Sequence, residues 1–156
     1  MNILLVCTGN TCRSSMAEGI FKHMLKINNI DHITVSSAGL SAFEGDIANE
    51  KAIEVLKRQG IDISGHKSRQ LTAKLIDDSD LILTMTAGHK AAILKYAPGS
   101  GNKVYTLREY AGKNGRTTNR SPDIHDPYGM DYSVYESVMN EIRIEIESII
   151  NKLKEQ

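Results

Sequence analysis

The chain has 156 residues, 40% of them hydrophobic and 24% charged, which is typical of one globular domain with a sizeable core. Its 19 lysines and arginines balance its 19 aspartates and glutamates, so bulk charge argues against a nucleic-acid partner. Two cysteines make neither a disulfide scaffold nor a zinc site, and no apolar run reaches the ~18 residues needed to span a bilayer.

The beginning of the chain predicts a buried strand, a tight turn and a helix. Residues 3–6 form a continuous apolar run, which indicates a strand buried on both faces. Apolar residues at spacings of three and four then predict a helix over residues 16–25. We expect Ser14 or Ser15 to cap its first turn and Glu18 to add negative charge there. No positively charged segment precedes the apolar run, so we expect no signal peptide and a cytoplasmic protein.

Five further segments have the patterns of strands or helices. They are strands at residues 33–36, 81–85 and 103–105 and helices at residues 47–59 and 88–96. The polar residues 112–127 predict a long functional loop, and an apolar stripe from Tyr132 to Leu153 predicts a last helix packed on the core. This alternation predicts a single α/β domain over residues 1–156, with a four-stranded parallel sheet and helices on both faces.

The segment from Cys7 to Ser14 joins the first strand to the first helix and predicts a phosphate-binding loop. Ligands of open α/β sheets bind at the carboxyl ends of the strands, where a turn can aim its N–H groups at an anion. The helix start adds positive potential, and Arg13 offers a planar fork that matches phosphate oxygens. Gly9 and Asn10 tolerate backbone conformations that most residues avoid.

Cys7 makes this loop a candidate catalytic centre rather than a binding site alone. A sulfur beside a helix start and Arg13 is stabilised as thiolate, and a thiolate in line with a bound phosphorus is a nucleophile. The leaving group then needs a proton, and Asp126, held extended by the following Pro127, suits a general acid. Its neighbour Asp131 is predicted to cap the last helix.

Three other polar residues are predicted to have no part in the site. Asp123 is expected in a solvated loop, and His89 and His125 show no partner pattern and are expected at the surface. The glycine patterns of ATP-binding and dinucleotide-binding loops do not occur in the chain. The sequence therefore gives no support to a nucleotide cofactor.

The Cys-x5-Arg-Ser pattern resembles the signature of low-molecular-weight protein tyrosine phosphatases. The similarity covers nearly the whole chain and includes residues 36–39, the segment of His66 and the Asp126-Pro127 pair. It implies a four-stranded parallel sheet, a phosphocysteine intermediate, and neither a metal ion nor another cofactor. It also implies that Cys7 is the nucleophile, Arg13 the phosphate clamp and Asp126 the general acid. Ser15 departs from the family, which usually has proline there.

The same resemblance implies roles for the remaining site residues. Ser37 and His66 are expected to support the loop, together with Asn10 and Ser14. The substrate-binding set is expected to be Thr8, Gly9, Asn10, Thr11, Cys12, Ser14, Phe43 and Tyr128, with the two aromatic residues as pocket walls.

Two positions bear on the substrate. Tyrosine-directed members typically carry Ile or Leu at the position of Thr11 and often a second aromatic residue at that of Gly129. A threonine hydroxyl suits the N–H-rich edge of a guanidino group, and this combination resembles the bacterial protein arginine phosphatases. We therefore expect phosphorylated proteins as substrates, foremost phosphoarginine, with phosphotyrosine as the alternative. We further expect a monomer that binds neither nucleic acid nor membrane.

Two other classes of function share parts of this pattern. An arsenate reductase would need further cysteines to pass on a disulfide, and Cys12 is the one other cysteine. A phosphate-binding module without activity would not need Cys7, Arg13 and Asp126 together. Cys12 is instead expected to trap an oxidised Cys7 as a disulfide, which would protect the nucleophile from irreversible oxidation.

Overall fold

The computed structural model describes residues 1–112 and 121–156, so residues 113–120 of the predicted loop lie outside the described part. The strands are Asn2–Cys7 (β1), Thr34–Gly39 (β2), Leu81–Thr84 (β3) and Val104–Thr106 (β4). The helices are Arg13–Ile27 (α1), Glu50–Lys57 (α2), Ala73–Asp78 (α3), Ala87–Tyr96 (α4), Leu107–Gly112 (α5) and Tyr132–Lys154 (α6). Within these ranges, no helix is long and apolar enough to cross a membrane.

The four strands form one parallel sheet in the order β2-β1-β3-β4. Leu5 of β1 lies opposite Ser37 of β2 on one side and Leu83 of β3 on the other. Because all strands run the same way, their carboxyl ends meet at one edge, where β1 ends at Cys7. The predicted α/β fold with a parallel sheet is confirmed.

Alternate residues of β1 enter two cores on opposite faces of the sheet. Ile3 and Leu5 pack in the larger core, to which α1, α2, α5 and α6 contribute. Leu4 and Val6 pack in a smaller core with residues of α3 and α4. Side chains of a strand point alternately to its two faces, so a strand covered by helices on both sides must be apolar at every position. This explains the unbroken apolar run near the start of the chain.

The apolar stripe of the last helix is buried as predicted. Its side chains along the inner face are all inaccessible to solvent or nearly so: Tyr135, Val138, Met139, Ile142, Ile146, Ile149, Ile150 and Leu153. The helix begins after Asp131, whose carboxylate accepts a hydrogen bond from the Val134 amide at 3.3 Å. Asp131 is therefore the predicted N-cap.

Several predicted boundaries and caps differ from the structure. Helix α1 begins at Arg13, too early for Ser14 or Ser15 to cap it, and the Ser15 hydroxyl instead donates to the Cys12 carbonyl at 2.9 Å. Helix α2 begins at Glu50 rather than near residue 47, because the Asn49 side chain accepts from the Lys51 amide and fixes the first turn there. Two helices of six residues, α3 and α5, were not predicted, since so few residues show no hydrophobic period.

Candidate active site

The loop between β1 and α1 is tied to its surroundings through its carbonyl groups. The carbonyls of Cys7, Thr8 and Thr11 accept hydrogen bonds from backbone amides of residues 40, 41 and 49, at 2.9 to 3.0 Å. In a trans peptide the following N–H points the opposite way, so the amides of residues 8, 9 and 12 point away from these partners. The geometry is that of an anion-binding nest at a helix N-terminus.

Gly39 lets the end of β2 approach this loop closely. A side chain at position 39 would place its Cβ 2.5 Å from the Thr8 carbonyl oxygen and 3.0 Å from the Asn10 amide nitrogen. Both neighbours are backbone atoms of the loop and cannot rotate away. A larger residue at position 39 would therefore displace the loop.

The Cys7 sulfur lies at the base of the nest, almost fully buried. It contacts the Ser14 hydroxyl oxygen at 2.8 Å, and the Asn10 backbone amide donates to it at 3.3 Å. These contacts hold the sulfur at the carboxyl end of β1, beside the start of α1. Cys7 therefore has the position expected of a nucleophile beneath a bound phosphate.

Asn10 shapes the loop from inside. Its backbone is left-handed with φ at +59°, and its side chain is fully buried. The amide nitrogen donates to the hydroxyls of Ser14 at 2.8 Å and Ser37 at 2.9 Å, and the amide oxygen accepts from the Arg69 backbone at 3.1 Å. Asparagine is among the few residues that adopt this conformation readily, and its buried polar groups are all used.

A second layer of polar side chains supports Asn10 and ends at Glu18. The Asn10 carbonyl contacts His66 Nε2 at 2.7 Å and accepts from the Ser68 hydroxyl at 2.9 Å. Glu18 accepts from the Ser37 hydroxyl at 3.2 Å, and its carboxylate lies 3.7 Å from His66 Nδ1. The structure thus brings the predicted residues Asn10, Ser14, Ser37 and His66 into one network.

The expectation that Glu18 serves the first turn of α1 is wrong, because the helix begins five residues earlier. Burial by itself raises the pKa of Glu18, but the interactions with His66, Lys22 and Ser37 together outweigh burial and hold that pKa below its usual value. Glu18, Ser68 and Arg69 were missed in the sequence, since no local pattern links them to the loop.

Arg13 and Asp126 form an ion pair in the lining of the cleft. The Arg13 guanidinium is buried; one nitrogen donates to the Ile124 carbonyl at 3.0 Å, and another lies 3.6 Å from Asp126 Oδ2. The Asp126 side chain is 53% exposed, and its other oxygen accepts from the Tyr128 amide at 3.1 Å. The planar guanidinium of Arg13 and the solvent-accessible carboxyl group of Asp126 therefore lie together at the loop.

The cleft above Cys7 is a cavity of about 380 Å³. Its lining includes every residue of the predicted substrate-binding set except Asn10 and Ser14, which lie beneath the loop surface. Phe43 and Tyr128 are largely exposed at its rim. The lining also contains Ser41 and Asp46, which the sequence did not single out.

The structure corrects the predicted surface position of His89 and adds a hydrogen bond to the exposed loop position predicted for Asp123. His89 is 7% exposed, and its Nε2 lies 2.9 Å from the Thr8 hydroxyl of the loop. Its Nδ1 is buried without a hydrogen-bond partner among the described residues. Asp123 is exposed but not merely solvated, because its carboxylate accepts from the Ala87 amide at 2.8 Å, at the start of α4. His125 is exposed as predicted.

Both cysteines are free and buried in the same loop. The Cys12 sulfur lies 3.4 Å from the Tyr135 hydroxyl and 3.8 Å from the Thr11 hydroxyl. Burial raises the pKa of the Cys12 thiol. A disulfide between Cys7 and Cys12 stays a prediction.

Known proteins of similar sequence and fold are phosphatases. The family model for the low molecular weight phosphotyrosine protein phosphatase matches residues 2–156. A protein-arginine-phosphatase of Geobacillus stearothermophilus is 37% identical over 153 residues, covering 97% of this chain and 95% of that protein. The crystal structure of a low molecular weight protein tyrosine phosphatase from T. tengcongensis has a TM-score of 0.89 and 40% identity, covering 97% of this chain and 99% of that one. A cysteine-to-serine mutant of the YwlE arginine phosphatase, with its active-site serine phosphorylated, has a TM-score of 0.90 and 34% identity, covering 99% and 96%.

The burial of His89 predicts a loss of stability in mild acid. Burial, together with the charge of Arg13, lowers the pKa of His89 from 6.5 to about 4, although the carboxylates of Asp123 and Asp126 act in the opposite direction. Between these values the unfolded chain binds more protons than the folded one, so the folded state loses stability as the pH falls from 6.5 toward 4. Between pH 7 and 5, the free energy of unfolding of the wild type should fall by about 2 kcal/mol more than that of His89→Gln.

Urea titrations at the two pH values measure this difference. His32→Gln, which replaces an exposed histidine, is the matched control. Equal losses of stability in wild type and His89→Gln would show that folding does not lower the pKa of His89.

Proposed function

Because the chain belongs to the low molecular weight phosphotyrosine protein phosphatase family, we propose that protein phosphoarginine is the principal substrate of this metal-independent protein phosphatase. The observation that carries the choice of substrate is the place of Thr11 in the lining of the cleft above Cys7. The similar proteins described above are phosphatases, so we do not favour arsenate reduction or phosphate binding without turnover.

In the first step, the Cys7 thiolate attacks phosphorus while the bond from phosphorus to the leaving nitrogen breaks. Asp126 gives its proton to that nitrogen, and the dephosphorylated side chain departs. The contacts of the Cys7 sulfur with Ser14 and the Asn10 amide support this role, as does the exposed carboxyl group of Asp126 above it. The phosphorylated serine in the related YwlE structure shows that the active-site side chain of that protein can carry the phosphoryl group.

In the second step, water attacks the phosphocysteine and the thiolate is released. The Asp126 carboxylate now takes the proton from the water, so that inorganic phosphate leaves and the starting protonation state returns. Arg13 and the loop amides contact the phosphoryl oxygens in both steps. They are fixed before substrate arrives, by the Ile124 carbonyl and by the Asn10 network, which is the condition for effective stabilisation of a charged transition state.

Thr11 supports phosphoarginine on chemical grounds. Its hydroxyl can accept a hydrogen bond from a guanidino N–H, whereas a branched apolar side chain would leave that donor unpaired. Overall similarity does not decide between the two substrates, because an arginine phosphatase and a tyrosine phosphatase are 37% and 40% identical to this chain.

Phosphotyrosine is the second candidate substrate. The exposed rings of Phe43 and Tyr128 at the rim of the cleft favour it, since a phenyl ring could pack between them. The two candidates differ in whether hydrogen bonding to Thr11 or aromatic packing contributes more to recognition.

We further infer a monomer that acts in the cytoplasm, without nucleic acid or membrane as partner. The three residues that the proposed mechanism uses, Cys7, Arg13 and Asp126, line one cleft, so the mechanism needs no residue from a second copy. The mechanism needs Cys7 as a thiolate, which favours a reducing compartment. The balanced charge of the chain supports phosphorylated proteins rather than polyanions as partners.

Cys7→Ser should abolish turnover but keep the binding of phosphate, because the loop remains and the thiolate is lost. Phosphatase assays with p-nitrophenyl phosphate in EDTA, together with calorimetric titration of phosphate, measure both effects. Arg13→Lys should also lose most activity, since an ammonium group cannot make the paired contacts of a guanidinium. Substantial turnover by Cys7→Ser would exclude Cys7 as the nucleophile.

Asp126→Asn should slow the release of poor leaving groups by ~10²–10⁴-fold, because the amide cannot donate the required proton. The loss should shrink along a series of aryl phosphates whose leaving groups become more acidic. Values of kcat/KM across that series test this directly, because they report the first step, whereas hydrolysis of the phosphocysteine is the same for every substrate. A loss of equal size for every leaving group would identify Asp126 as a positioning residue.

Thr11→Ile should shift the ratio of kcat/KM values from phosphoarginine toward phosphotyrosine peptides by ~10–10³-fold, since it removes an acceptor and adds apolar bulk. Thr11→Ser keeps the hydroxyl, and Thr11→Val removes it at nearly constant volume, so the pair separates the two effects. Wild-type protein that prefers phosphotyrosine, with a ratio unchanged in Thr11→Ile, would refute the choice of phosphoarginine.

A further inference from the structure

The lining of the cleft contains a second carboxylate besides the proposed acid. Its charged side chains, among the described residues, are Arg13, Asp126 and Asp46. The proposed mechanism uses the first two and leaves Asp46 without a role. This residue lies in the segment between β2 and α2, and its amide donates to the carbonyl of the rim residue Phe43 at 3.3 Å.

The backbone around Asp46 is fixed relative to the phosphate loop. The Ser68 amide donates to the Asp46 carbonyl at 2.7 Å, and the Gly45 amide donates to the Ser68 carbonyl at 2.8 Å. The hydroxyl of the same Ser68 donates to the carbonyl of Asn10 at 2.9 Å. One residue thus ties the Asp46 backbone to the loop that holds the phosphate.

The Asp46 carboxylate itself is free to bind a ligand. It is exposed, and it has no hydrogen bond or ion pair within residues 1–112 and 121–156. The neighbouring Glu44 differs, because its carboxylate accepts from the Gln70 amide at 2.7 Å. Asp126 is likewise engaged, with Arg13 and the Tyr128 amide. Asp46 is therefore the carboxylate of the cleft with both oxygens available to substrate.

Charge balance in the occupied cleft indicates what Asp46 would bind. A phosphorylated side chain brings negative charge, which the Arg13 guanidinium offsets. A further carboxylate in the cleft repels the phosphate, so it disfavours binding unless the substrate also brings a cation. A phenyl ring brings neither positive charge nor N–H donors. A guanidinium brings both, and its planar fork matches the two oxygens of a carboxylate.

We infer that Asp46 is a specificity-determining residue whose carboxylate accepts hydrogen bonds from a guanidinium of the substrate. That guanidinium belongs either to the phosphorylated arginine itself or to an arginine next to the phosphorylated residue. The inference rests on the proposed phosphatase function of the cleft, but it does not depend on which residue carries the phosphate.

Three peptides and two matched variants test the inference. The peptides carry phosphoarginine between alanines, phosphotyrosine between alanines, and phosphotyrosine between arginines. Asp46→Asn removes the charge with little change of shape. Asp31→Asn makes the same change at an exposed site between α1 and β2, at the opposite edge of the sheet, and serves as the control. Circular dichroism verifies folding, and kcat/KM is measured for every pair.

Asp46→Asn should lower kcat/KM for the phosphoarginine peptide by about 10–100-fold, the range for a hydrogen bond to a charged group. The value for phosphotyrosine between alanines should not fall, and Asp46→Glu should restore part of the loss. A selective loss confined to phosphotyrosine between arginines would also support the inference and assign the contact to the neighbouring arginine. Equal changes for all three peptides, or none beyond the control, would overturn it.

The same peptides show separately whether phosphoarginine is the principal substrate. Wild-type preference for phosphotyrosine would refute phosphoarginine as principal substrate, whatever Asp46→Asn does. The role of Asp46 is decided separately, by whether its variant distinguishes peptides with a guanidinium from those without.

Discussion

The buried hydrogen bonds of the Asn10 side chain are the interaction on which the rest of the site depends. They hold a non-glycine residue in the left-handed conformation, which costs most residues roughly 1–2 kcal/mol and asparagine less. Each buried amide group left unpaired would cost a further ~1–3 kcal/mol. The loop therefore keeps its shape only if Ser14, Ser37 and the Arg69 backbone supply their partners together.

This network joins parts of the fold that are far apart in the sequence. Ser14 belongs to α1, Ser37 to β2 and Arg69 to the segment before α3. The proposed nucleophile thus depends on the register of two strands and on the docking of a helix. The same network also fixes the cleft wall, because Ser68 contacts both Asn10 and the Asp46 backbone. A mutation that displaces this segment would alter the loop and the substrate wall at once.

Much of the fold was predictable because its determinants are local. A strand buried on both faces must be apolar throughout, and an amphipathic helix of 23 residues such as α6 repeats its pattern over several turns. The six-residue helices α3 and α5 lack that length, and the start of α2 is set by the Asn49 cap. The predicted helix boundaries are therefore wrong where a single side-chain contact, rather than a repeated hydrophobic pattern, decides where the helix begins.

The sequence by itself was enough to predict a phosphate loop and its chemistry, since Cys7 and Arg13 lie within one turn between a strand and a helix. It did not reveal the contact of His89 with Thr8 or that of Glu18 with His66, which join residues 81 and 48 positions apart in the chain. It likewise gave no sign that Asp46 lines the cleft. Only the tertiary structure decided these positions, because parallel strands bring the segments that follow them to the same edge of the sheet, whatever their distance along the chain.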